Sequence, residues 1–142
     1  MIKRCALLAV LALALGACGG GEEGEEAERE AAGQACAEAP AALDGTPMLP
    51  EGFPTPDGVT YTAEREAGPS TIVDGYYEGG IEDAYEDYKS ALDGADGFEV
   101  TQDEQEEVDA EVNFEGGGTS GQVKLIQECE DRTSVSITAR PE

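Results

Sequence analysis

The stretch IEDAYEDYKSAL, Ile81–Leu92, decides the fold. Its residues Ile81, Ala84, Tyr85, Tyr88, Ala91 and Leu92 recur at intervals of three and four, which places them on one stripe of an α-helix. Glu82 and Asp83 fall in the first turn, where negative charge complements the helix dipole. Gly94 stands where a C-cap belongs. The spacing predicts a helix of about 12–14 residues. Its tyrosines could stack a ligand, but at this spacing they read as core or core edge.

On either side of the helix the period changes to two. Upstream, Val59, Tyr61 and Ala63 alternate with Thr60, Thr62 and Glu64, the pattern of a half-buried strand. Gly68-Pro69 marks a turn, and Thr71–Tyr77 reads as a second strand ended by Gly79-Gly80. Its side chains divide into Val73, Gly75 and Tyr77 against Ile72 and Tyr76. Downstream, Phe98, Val100 and Gln102 form a short strand, and the acidic run Asp103–Glu107 reads as a turn. Val108, Ala110, Val112 and Phe114 then alternate with Asp109, Glu111, Asn113 and Glu115. Gly116–Gly121 reads as a hairpin loop, Val123, Leu125, Gln127 and Cys129 share one face, and Val135, Ile137 and Ala139 share another. The order is β-β-α-β-β-β-β. An apolar helix stripe and the apolar face of a meandering sheet bury each other. The expectation is therefore an α+β, two-layer domain over 49–142, one helix packed on a mainly antiparallel sheet. A unit of this size buries roughly 60–65% of its extended-chain surface, so its core is marginal.

Charge narrows the function classes. The chain of 142 residues carries 32 Asp and Glu against 8 Lys and Arg, a net charge of -24, with no His and no Trp. Nucleic-acid sites need a basic footprint, so no nucleic-acid partner is expected. Without His there is no Ser-His-Asp triad and the commonest metal ligand is missing. Paired carboxylates could run glycoside chemistry, but among so many acids proximity alone means little. The chain reads as not an enzyme.

The N-terminus is a different material. Lys3 and Arg4 precede the uncharged run Cys5–Ala17. As a helix that run is about 20 Å long, against about 30 Å of hydrocarbon, and a basic start, short apolar stretch and small-residue end read as an export signal over 1–17. The signal ends in Leu15-Gly16-Ala17-Cys18, which resembles the lipobox of bacterial lipoproteins. The resemblance implies cleavage before Cys18 and acylation of that residue with palmitate-type chains. It also implies an extracytoplasmic protein anchored to the cell membrane, with the lipid bilayer as a partner through Cys18. The alternative is an ordinary secreted protein cut near Ala17. In addition, Tyr88-Lys89 followed by Gly97-Phe98 resembles small domains of actinobacterial lipoproteins, which implies no activity.

Residues 18–48 read as a lipidated cysteine, an acidic tether and a lead-in. Gly19–Gly21 and the glutamate-rich Glu22–Glu30 have almost no apolar payload. The Ala- and Pro-rich stretch 31–56 should wrap onto the domain, with Met48, Leu49 and Phe53 docking there. Once Cys5 leaves with the signal and Cys18 takes lipid, Cys36 and Cys129 remain, and in an exported protein such a pair suggests a disulfide. No cofactor is expected. Asp93, Asp96 and Glu99 around Gly94 and Gly97 are the alternative, a loose calcium loop, but they do not match the EF-hand pattern. The leading expectation is a non-catalytic interaction or solute-binding domain. It would meet an extracytoplasmic protein, a wall polymer or a small solute through exposed Tyr76, Tyr77 and the Gly116–Gly121 loop. A structural or inhibitory lipoprotein without a ligand is second, and a carboxylate enzyme third.

Overall fold

The alternation of the sequence becomes six strands. The computed structural model describes residue 27 and residues 29–142. The leader, Cys18 and most of the acidic tether lie outside the described residues. The strands are β1 (Val59–Ala67), β2 (Ser70–Glu78), β3 (Phe98–Gln105), β4 (Asp109–Gly116), β5 (Thr119–Cys129) and β6 (Arg132–Pro141). The helix α1 spans Ile81–Gly94, between β2 and β3. The sheet runs in the order β1-β2-β6-β5-β4-β3, with every neighbouring pair antiparallel. The domain is thus α+β in two layers, with α1 lying across β3, β4, β5 and β6.

One face of the sheet makes the core. Val73 and Tyr77 of β2, Ala110, Val112 and Phe114 of β4, Val123 and Leu125 of β5, and Val135 and Ile137 of β6 are buried there. They meet Ile81, Ala84, Tyr88 and Leu92 of α1. The burial of these side chains on both layers is the main drive for folding. Phe53 of the lead-in closes the end of the layer by packing on Phe98 and Phe114, with ring centroids 5.8 and 5.2 Å away. Leu49 also packs against this cluster.

Polar groups on the core face are satisfied by the chain entering the helix. Gln127 is buried; its Oε1 accepts the Ile81 N–H at 2.6 Å, and its Nε2 donates to the carbonyls of Cys129 (2.5 Å) and Arg132 (3.4 Å). A side chain of the sheet thereby takes up one of the unpaired donors at the start of α1, where Gly80 has no side chain to do so. Thr133 Oγ1 donates to the Gly79 carbonyl at 3.0 Å and fixes the same bend. The Tyr88 hydroxyl is buried and makes no hydrogen bond. Burial pushes its phenol well above the ordinary value, and the nearby Tyr61 raises it further.

Several expectations are corrected. A bulge between Tyr61 and Ala63 turns Ala63 to the outer face, so it does not follow Val59 and Tyr61. The acidic run Asp103–Glu107 is not a turn, because β3 continues to Gln105 after a bulge between Val100 and Gln102. Charges suit this position, since β3 is an edge strand and acids discourage pairing with another chain. Gly94 is the last helical residue and Ala95 the cap, its N–H donating to the Leu92 carbonyl at 3.3 Å. The Gly116–Gly121 loop shrinks to Gly117-Gly118, whose φ angles of 59° and 73° fit the two-residue turn that matches strand twist.

The lead-in is tied down at several points. The Leu43 N–H donates to the Tyr61 carbonyl at 2.7 Å, and the Met48 N–H to Glu64 Oε2 at 2.8 Å. Cys36 and Cys129 form a disulfide, with Cα atoms 5.1 Å apart. Beside it the Glu130 N–H donates to the Gln34 carbonyl and Arg132 Nη1 to the Ala37 carbonyl, each at 2.9 Å.

Candidate binding face of the sheet

The sheet has a second face, which α1 leaves uncovered. Pairing register sorts its side chains into rows that cross the strands. One row runs Arg65, Ile72, Thr138, Gln122, Asn113 and Gln102. The next runs Ala63, Asp74, Ser136, Lys124, Glu111 and Glu104. Strand alternation puts these residues outward because their neighbours Val73, Ile137, Val123 and Val112 point into the core.

Hydrogen bonds fix several of these side chains. Gln122 Nε2 donates to Asn113 Oδ1 at 3.2 Å and to Glu111 Oε2 at 3.0 Å. Lys124 Nζ pairs with Glu111 Oε1 at 3.2 Å. Ser136 Oγ donates to Asp74 Oδ1 at 2.7 Å, and Arg65 pairs with the other oxygen of Asp74. These bonds consume one end of each amide. The Gln122 carbonyl oxygen and the Asn113 amino group keep their capacity, one as acceptor and one as donor.

An open groove of about 590 Å³ lies over the first row and the end of the sheet beyond it. Gln102, Asn113, Gln122 and Thr138 line its floor, and Ser70, Glu115, Ser120 and Arg140 its rim. That volume is in the range of small-ligand sites. The floor carries no charge, although 28% of the chain's residues are charged. Gly121 explains part of the shape. The Phe114 ring and the Thr138 carbonyl occupy the space a Cβ would need there.

The residues singled out in the sequence are placed differently from one another. Tyr77 is buried, not exposed: its register partner is Val59 on the core face, and its hydroxyl donates to Asp87 Oδ2 of α1 at 2.7 Å. That bond to a carboxylate, with burial adding, pushes its phenol up to about 12. Tyr76 faces outward, half-buried, with the Arg132 guanidinium 5.8 Å from its ring centroid. Asp93, Asp96 and Glu99 are exposed, and Asp93 lies 3.8 Å from Lys89 Nζ. Among the described residues no three acids or cysteines converge in a way that could hold a metal ion. The face beside α1 is polar. There Tyr85 donates to Asp103, and Lys89 Nζ lies 2.9 Å from the same carboxylate. The two bonds hold the Asp103 carboxyl below its ordinary value, the Tyr85 bond counting most.

The expected bilayer partnership is corrected for the described chain. Its cysteines Cys36 and Cys129 are bonded to each other, so Cys36 is not free for lipid attachment as a membrane anchor. Cys18, to which that expectation was tied, lies outside the described residues. Among the described residues no helix is long and apolar enough to cross a membrane.

Reading the sequence missed the groove floor. Outward positions of a strand look like solvated surface wherever they occur, and only register brings Gln102, Asn113, Gln122 and Thr138 side by side. The available signal was chemical: Asn113 stands neutral between the outward acids Asp109, Glu111 and Glu115 of β4, and Gln102, Gln122 and Thr138 are neutral beside it. No protein-family model, curated protein or solved structure matches the chain.

Proposed function

We propose that this chain is an exported, extracytoplasmic protein of lipoprotein type, and that its folded domain is a non-catalytic binding module with the open sheet face as its binding surface. One observation carries the binding reading: the floor of the groove presents amides held by their neighbours, each with unused hydrogen-bonding capacity. Preorganised polar groups of this kind fix a ligand at little ordering cost. Glu115 is the one carboxylate lining the groove, whereas carboxylate chemistry on glycosidic bonds needs two that face each other. The export reading is supported by the resemblance at Leu15–Cys18 and by the disulfide, a bond that persists in oxidising compartments.

Two measurements test these readings. Intact mass of the mature protein should give a chain beginning at Cys18, and a chain retaining Met1–Ala17 overturns the export reading. Side-chain amide NMR signals of Gln102, Asn113 and Gln122 should move when fractionated extracytoplasmic material is added. Perturbations confined to α1 would place the binding surface elsewhere and refute the module as described.

A further inference from the structure

The cations of the described chain are almost all committed. Arg29 pairs with Glu107, Arg65 with Asp74, Lys89 with Asp103, Lys124 with Glu111 and Arg132 with Glu128. Among the described residues Arg140 alone makes neither an ion pair nor a side-chain hydrogen bond. In a chain of net charge -24 a cation without an ion pair is an anomaly; Glu115 stands in the same row beyond Ser120 but makes no ion pair with Arg140. Its place is specific as well. Arg140 sits at the groove rim, opposite Ser120 in the β5–β6 register. It is one row from the neutral floor of Thr138, Gln122 and Asn113.

The two features together define a ligand. The floor offers a fixed acceptor and a fixed donor side by side, and a hydroxyl group can satisfy both because it donates and accepts. Several such groups in a row suit a molecule carrying hydroxyls on adjacent carbons. Glu111 and Lys124 neutralise each other beside the floor, so nothing there favours a charged group. The free guanidinium at the rim offers a planar fork that matches a carboxylate. The long-range field of the chain repels anions, so this contact works only at short range, once the hydroxyls are seated.

Resting on the reading of the open face as the binding surface, we propose that the groove is a subsite for a carboxylated saccharide. Gln102, Asn113, Gln122 and Thr138 meet the sugar hydroxyls, and Arg140 meets the carboxylate. The ligand is a short sugar chain of uronic-acid type.

The test is an NMR titration of the purified full chain with a short oligosaccharide containing glucuronate and with its neutral glucose counterpart. The glucuronate chain should shift the side-chain amides of Gln122 and Asn113, and bind about tenfold more tightly than the neutral one, the gain expected of a charge-assisted contact. Arg140→Gln, at an exposed position, should leave the backbone spectrum unchanged and abolish that preference. Gln122→Ala should weaken both sugars, and Thr138→Val gives the same reading if the first variant does not fold. Equal binding of both sugars by the unaltered chain, or a preference that survives Arg140→Gln, overturns the role of Arg140. Absence of any shift with either sugar overturns the proposal. If extracytoplasmic material still moves the amides of the floor, the binding module stands and only its ligand class is wrong. If that material also leaves the floor untouched, the module fails with it.

Discussion

Removing the disulfide should cost this domain a large share of its stability. Cys36 and Cys129 are 93 residues apart in sequence, so the bond closes a loop that contains nearly the whole fold. On the chain-entropy account, closing a loop of that length disfavours the unfolded ensemble by about 4–5 kcal/mol. The bond also holds the lead-in where Gln34 and Ala37 accept their hydrogen bonds from Glu130 and Arg132. If that segment detaches, about 1 kcal/mol is lost with each bond. A small domain has about 5–15 kcal/mol in total. The Cys36→Ala/Cys129→Ala double variant should therefore unfold at a markedly lower urea concentration, with a melting temperature lower by roughly 20–30 °C. The assay is urea and thermal denaturation followed by circular dichroism, with intact mass establishing the oxidised bond in the reference protein. A loss of less than about 1 kcal/mol would refute the loop argument, since it would mean the unfolded chain is already as restricted without the bond.

Four further outcomes follow from particular contacts. Gln127→Leu should destabilise by about 2–4 kcal/mol in urea denaturation, because it orphans the Ile81 N–H and two carbonyls beneath the helix. Gly121→Ala should cost about 1–3 kcal/mol by the same measurement, since its Cβ meets the Phe114 ring. The Tyr77 phenol titrates near 12 in the fold against 10.0 for an ordinary tyrosine. Its neutral form is favoured by folding, so that contribution is whole below pH 10 and disappears as pH rises through about 12. Asp87→Asn should return the phenol toward its ordinary value in an absorbance titration. Finally, the net charge of -24 makes the folded chain self-repulsive. Raising NaCl from about 10 mM to about 1 M shortens the screening length from about 30 Å to about 3 Å and should raise the melting temperature; an unchanged value counts against this account.

Much of the architecture was legible because burial writes a period into sequence. Tyr88 and Leu92 carry the helical spacing, and Val123 and Leu125 the strand spacing, each imposed by a single core between two layers. The errors fall where a local rule was overridden by pairing. Asp103 and Glu104 look like turn residues, yet an edge strand accommodates charge and the ladder to β4 extends through them. Ala63 changes face because one extra residue in β1 reverses all alternation after it. Tyr77 reads as a surface aromatic until its hydroxyl is seen to reach Asp87. The groove was the least legible part. It depends on which strands are neighbours, and the placement of β6 between β2 and β5 follows from no local pattern.

The disulfide-bonded start of the lead-in and the groove occupy opposite poles of the sheet, although the lead-in returns at Pro50–Phe53 to the end that carries Phe98 and Gly117. The disulfide at Cys129 and the Arg29–Glu107 pair lie where β5 ends and β4 begins. Ser120 and Arg140 lie at the other extremity of β5 and β6, about 30 Å along the strands at their usual rise. Whatever restrains the chain ahead of residue 29 therefore acts on the far pole, and the sheet serves as a rigid boom that projects the groove outward. Pinning the N-terminal side would leave the groove unobstructed and limit the directions from which it can be approached.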